Sequence, residues 1–130
     1  REYIDDMPAL LAAADLVISR AGALTLAEIS AVGRASVLIP SPNVAENHQY
    51  HNAMQLAKLG AAVVLEEKQL TGDVLVQTVD SLTQDPARLL EMGAKARALA
   101  QPDSLERIWR ELEKICNPNS ALFTEIAPFA

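Results

Sequence analysis

The stretch Ile18-Ser19-Arg20-Ala21-Gly22-Ala23-Leu24-Thr25-Leu26-Ala27-Glu28 carries the residue types from which this chain can build a site. The run Asp15-Leu16-Val17-Ile18 feeds a turn of small residues, and a helical pattern starts at once. A strand, a tight turn and a helix in that order aim unpaired backbone N–H groups, and the positive end of a helix dipole, at whatever lies beyond the strand. Ala21, Gly22 and Ala23 leave room for a phosphate or a sugar to approach the backbone. Glu28, a helical turn further on, supplies a carboxylate that can accept from two vicinal hydroxyls. The pattern points to a nucleotide-sugar site.

Each candidate has a second reading. Thr25-Leu26-Ala27-Glu28 also spells a capping box, in which both side chains satisfy the helix's own donors. Arg20 suits either a phosphate or a surface carboxylate. His48 and His51, with Glu46 nearby, lack a third ligand at helical spacing, so no metal is expected. Asp5 and Asp6 read as helix caps ahead of Pro8 rather than as an acid–base pair. Asn43 and Asn52 are expected to shape the segment around Gln49. Cys116 has no activating neighbour and is expected to be inert.

The elements that must position these residues follow from periodicity and punctuation. Glu2-Tyr3-Ile4 reads as a strand end, followed by a helix through Leu10, Leu11 and Ala14. Strand Leu16–Ser19 precedes a helix from about Leu24 to Val32 that stops at Gly33. Ala35-Ser36-Val37-Leu38-Ile39 is apolar enough for burial on both faces, as in a parallel sheet, and Pro40 closes it. A polar loop from Ser41 to Glu46 leads to a helix from about Asn47 to Leu59, then to strand Ala61–Leu65. Three helices follow. They open near Thr71, at Asp85-Pro86 and at Asp103, and the last has a stripe of Leu105, Ile108, Trp109, Leu112 and Ile115 expected to pack in a core or between domains. The alternation predicts an α/β fold with a doubly wound parallel sheet.

Composition sets outer bounds. The 130 residues are half hydrophobic, enough for one α/β domain with a core. A formal net charge of −6 argues against nucleic acid as a partner. The single cysteine allows no internal disulfide and fits a reducing compartment. No apolar run approaches the roughly 20 residues of a membrane span. The chain opens on Arg1, inside what reads as a strand end, and is expected to be a piece of a longer protein.

Several segments together resemble one family. They are Tyr3-Ile4-Asp5-Asp6-Met7, Ala14 to Ile29, Ile39-Pro40-Ser41-Pro42-Asn43-Val44-Ala45-Glu46-Asn47-His48-Gln49, and Asn52-Ala53. In that order, over about residues 2 to 115, they resemble the C-terminal domain of the MurG family. These bacterial enzymes move N-acetylglucosamine from UDP-N-acetylglucosamine to undecaprenyl-pyrophosphoryl-N-acetylmuramoyl-pentapeptide in peptidoglycan synthesis. The resemblance implies the Rossmann-like C-terminal half of a glycosyltransferase B fold. A donor-binding domain over 1–116, incomplete at its N-terminus, would precede a tail, 117–130, that matches nothing. It also implies roles. Ile4 would offer its backbone to uracil. Ala23, Leu24 and Thr25 would face the phosphates and sugar. Glu28 would hold the ribose hydroxyls, and Gln49 and His48 the N-acetylglucosamine hydroxyls, His48 standing where many relatives have a second glutamine.

The family's diphosphate loop would lie before Arg1. The lipid-linked acceptor would bind the absent N-terminal domain, so no catalytic residue is expected here. The implied transfer is inverting and needs no metal or cofactor, at the cytoplasmic face of the inner membrane. Another UDP-sugar transferase or epimerase of the same fold, or a non-enzymatic α/β binding module, is the alternative.

Overall fold

The structure, a computed structural model, describes residues 4–44 and 47–115. The chain divides into two compact units, residues 1–100 and 101–130. In the first, α1 (Met7–Ala13) leads to β1 (Leu16–Ser19), α2 (Ala23–Val32), β2 (Ala35–Leu38), α3 (His48–Lys58) and β3 (Ala62–Val64). A short 3-10 turn, Glu67–Gln69, precedes α4 (Gly72–Thr83) and α5 (Pro86–Arg97).

The three strands form one parallel sheet in the order β1-β2-β3. Leu16 is paired with Ala35, and Ser36 with Ala62. Alternation along β2 divides the core into two layers. Leu38 faces Leu26 and Ile29 of α2 and Ala53 and Leu56 of α3. Ala35 and Val37 face Leu82 of α4 and Met92 of α5, with Leu75 and Leu89 against them. Both faces are therefore covered, which is why β2 reads as an unbroken apolar run with all four of its residues buried. Burying side chains such as Ile29 and Leu38 stabilises the fold by about 1.5–3 kcal/mol each.

Glycines close the two helices on the first layer. Gly33 ends α2 at φ 66°, and Gly60 follows α3 at φ 71°, the left-handed geometry that releases a helix into the next strand. A third glycine works by close approach. A Cβ on Gly93 of α5 would lie 2.5 Å from the carbonyl oxygen of Gly33, so the two backbones meet there.

One expectation is corrected. Ile4 lies outside any strand, and Glu2 and Tyr3 fall outside the described residues. In the second unit, α6 (Ser104–Ile115) leaves Leu105, Ile108 and Leu112 exposed, so of the two expected roles, core or interdomain packing, the described residues do not show the first. Trp109 instead donates its indole N–H to Glu113 along the helix, at 2.9 Å. Residues 116–130, with Cys116 and the unassigned tail, lie outside the described residues.

Candidate functional site

The turn between β1 and α2 is built as its residue types suggest, and it excludes the capping-box alternative. Gly22 occupies the N-cap of α2 in extended geometry (φ −68°, ψ 143°), and no side chain caps the helix. Thr25 is already the third helical residue, so the capping box does not form. The physical reason is that the helix begins at Ala23, and a box needs Thr25 in the non-helical N-cap position. The first intrahelical bond runs from the Leu26 amide to the Gly22 carbonyl, at 3.0 Å. The amides of Ala23, Leu24 and Thr25 precede it and have no helical acceptor. Glu28 is exposed and makes no hydrogen bond or ion pair with the described residues.

The start of α3 resembles that of α2. Its N-cap, Asn47, takes a left-handed conformation at φ 53°, and no side chain caps it either. The other helices of this unit differ. Asp6 accepts from the Ala9 amide at 3.2 Å, Thr71 from Val74 at 3.2 Å and Asp85 from Arg88 at 3.0 Å. A side-chain cap stabilises a protein by about 1 kcal/mol, so its omission at α2 and α3 costs stability unless something else meets those donors. Asp6 is the capping residue of the Asp5-Asp6 pair, as the sequence suggests.

Gln49 lies in the first turn of α3, half buried, and its Oε1 accepts from the Ser41 amide at 2.9 Å. That bond commits the carbonyl end of the side chain to the loop after β2 and leaves the amide NH2 to point elsewhere. Within the loop the Asn43 amide donates to Ser41 Oγ, at 3.4 Å. His48 is exposed at the first position of α3, and the rings of Tyr50 and His51 meet edge to face at 6.0 Å. Ala45 and Glu46 fall outside the described residues.

Arg20 settles on a carboxylate. Its Nη1 donates to Glu67 Oε2 at 2.7 Å and to the Ile39 carbonyl at 3.3 Å. Glu67 also lines a cleft of about 340 Å³ with Pro40, Pro42, Asn47, Tyr50, Glu66 and Lys68. In it Glu66 pairs with Lys68 at 2.7 Å, and this hydrogen bond holds the lysine's pKa above its ordinary 10.5. Periodicity alone did not single out Ser41, Glu67 or Tyr50. The acidic pair placed directly after a strand was the available signal for Glu67.

Comparison with known proteins assigns the fold to a family. The glycosyltransferase family 28 C-terminal domain matches residues 1–108 of the chain. The chain belongs to that family. Among family 28 relatives, a UDP-N-acetylglucosamine–N-acetylmuramyl-(pentapeptide) pyrophosphoryl-undecaprenol N-acetylglucosamine transferase of Bacillus licheniformis is 48% identical over 113 residues. That match takes in 87% of this chain and 31% of the relative. The enzyme of the same name from Coxiella burnetii is 44% identical over 112 residues, 86% of this chain and 31% of its own length. The crystal structure of Acinetobacter baumannii MurG superposes with a TM-score of 0.81 at 38% identity, covering 86% of this chain and 32% of that one.

The chain thus spans about a third of the length of these relatives. Its fold is the Rossmann-like C-terminal half of a glycosyltransferase B enzyme, as the resemblance implied. Among the described residues no helix is long and apolar enough to cross a membrane.

Proposed function

We propose that the chain is the donor-binding part of an enzyme that transfers N-acetylglucosamine from UDP-N-acetylglucosamine to a lipid-linked muramoyl-pentapeptide in peptidoglycan synthesis. The observation that carries this reading is the bare start of α2, where Gly22 caps without a side chain and Ala23, Leu24 and Thr25 present their amides. A diphosphate is the ligand that such amides and the dipole behind them favour. Glu28, unpaired among the described residues, is positioned by the same helix to accept from the ribose hydroxyls. Gln49 and His48 take the sugar hydroxyls, and the Ile4 backbone takes uracil. Family membership and the activity for which the relatives are named support the assignment.

In this reading the acceptor binds through the remaining two thirds of the parent, which also supplies the catalytic base. When the muramoyl hydroxyl attacks the anomeric carbon, the bond to the diphosphate breaks and negative charge grows on departing UDP. The amides of Ala23, Leu24 and Thr25 are fixed before the reaction, so they stabilise that charge without reorganising. The enzyme works peripherally at the cytoplasmic side of the bacterial inner membrane, where its lipid-linked acceptor resides.

The test is titration of the full-length parent with UDP-N-acetylglucosamine and UDP-glucose, with and without Gln49→Ala. Preference for N-acetylglucosamine that falls on substitution supports the reading. Absence of binding by either nucleotide sugar to the unsubstituted parent overturns it.

A further inference from the structure

We infer that Arg20 is a positioning residue for the sugar end of the donor site, acting through the Ile39–Ser41 segment on Gln49; the inference rests on the donor-site reading above. Arg20 is the last residue before the Ala21-Gly22 turn that launches α2. Its side chain crosses to the exits of the other two strands. One nitrogen, Nη1, donates both to the Ile39 carbonyl, just past β2, and to Glu67, in the turn after β3. The Ile39 amide donates in turn to the Ser19 carbonyl at 2.9 Å, so the exits of β1 and β2 are joined by backbone and by side chain.

Beyond Ile39 the chain has little freedom. Pro40 is buried, has no N–H and a fixed φ, and the next amide, that of Ser41, is the one held by Gln49 Oε1. The three residues Ile39, Pro40 and Ser41 are therefore gripped from one side by Arg20 and from the other by Gln49. A displacement of this segment moves the Ser41 N–H donor that fixes the Gln49 side chain. The amides of Ala23, Leu24 and Thr25 belong to α2, whose buried Leu26 and Ile29 anchor it independently of the guanidinium.

A phosphate-binding role and a positioning role for Arg20 make different predictions. A phosphate ligand acts on UDP and on UDP-N-acetylglucosamine alike. A positioning residue that works through Ser41 and Gln49 acts on the sugar and spares UDP. Glu67, whose carboxylate holds the same nitrogen, should share the effect in weaker form, because an ion pair this exposed contributes little by itself.

The experiment measures dissociation constants of UDP and UDP-N-acetylglucosamine for the full-length parent and its Arg20→Met, Arg20→Lys and Glu67→Gln variants, with melting temperatures alongside. Arg20→Met is expected to weaken UDP-N-acetylglucosamine about fivefold relative to UDP, the loss expected for one or two hydrogen bonds acting indirectly. Arg20→Lys should recover part of that ratio, and Glu67→Gln should lower it about twofold. Equal weakening of both ligands, or tighter UDP binding in Glu67→Gln as its arginine is released, overturns the inference in favour of a phosphate ligand. An unchanged ratio in every folded variant overturns it outright. If Arg20→Met fails to fold, the Glu67→Gln ratio decides. Failure of the unsubstituted parent to bind either ligand refutes the donor-site reading instead, so the two failures are distinct.

Discussion

The side-chain oxygen of Gln49, in the first turn of α3, accepts the backbone amide of Ser41 in the loop that follows β2, at 2.9 Å. With its oxygen turned to Ser41, Gln49 has its NH2 to offer a ligand, so in the proposed donor site it is expected to act as a hydrogen-bond donor. Gln49→Glu keeps an acceptor for Ser41 and loses the donor, whereas Gln49→Ala loses both. Gln49→Glu is expected to raise the KM for UDP-N-acetylglucosamine at least tenfold, through loss of donation and desolvation of a new charge, at nearly unchanged melting temperature. Gln49→Ala should raise KM and also destabilise the protein by about 1 kcal/mol, since the half-buried Ser41 amide loses its partner. Equal melting temperatures for the two variants would contradict this division.

Gly22 offers a test in which stability and binding move in opposite directions. Its backbone (φ −68°, ψ 143°) suits any residue, and an added Cβ meets only Thr25 Oγ1, at an ordinary 3.8 Å. Gly22→Asp supplies the missing side-chain cap and should stabilise the protein by a few tenths of a kcal/mol, about the known advantage of Asp over Gly at that position. The same carboxylate occupies the amides and repels a diphosphate, so UDP affinity should fall at least tenfold. Thermal melting and calorimetric titration of one sample report both. A variant that binds UDP normally shows that those amides are not its site.

Glu28 carries a related expectation. No capping box forms, and the carboxylate is exposed without a partner among the described residues. Glu28→Ala should therefore change unfolding free energy by less than about 0.5 kcal/mol while weakening UDP. A loss of about 1 kcal/mol with intact UDP binding would restore the capping role.

At Gly93 the expectation concerns the fold alone. Its Cβ would stand 2.5 Å from the Gly33 carbonyl oxygen, which is backbone and cannot swing aside. Gly93→Ala should destabilise by about 1–3 kcal/mol, the usual cost of forcing packed elements apart, despite alanine's better helix propensity. Chemical denaturation checks it. A stabilised variant would mean that α5 shifts without cost.

Much of this molecule was legible in the residues because its punctuation is local. Strand Leu16–Ser19 has the predicted limits, and Gly33, Gly60, Thr71 and Asp85 bound helices where their types require. Parallel pairing and two-sided burial followed from alternation of helices with short apolar runs. Alternatives stayed open where one pattern served two geometries. Thr25 and Glu28 fit a capping box and also fit helix interior, and only the extended conformation of Gly22 decides between them. The stripe on α6 has the spacing of a core face, but spacing says nothing of what covers it. Arg20 with Glu67, and Gln49 with Ser41, were beyond sequence reading, since both contacts depend on how strand exits are placed in space.

The position of the diphosphate decides the donor-site proposal. A crystal structure of the full-length parent with bound UDP-N-acetylglucosamine is expected to place phosphate or sugar oxygens about 2.7–3.2 Å from amide nitrogens among Ala23, Leu24 and Thr25, with both ribose hydroxyls on Glu28. A nucleotide bound elsewhere, with water or a protein side chain on those amides, would contradict it.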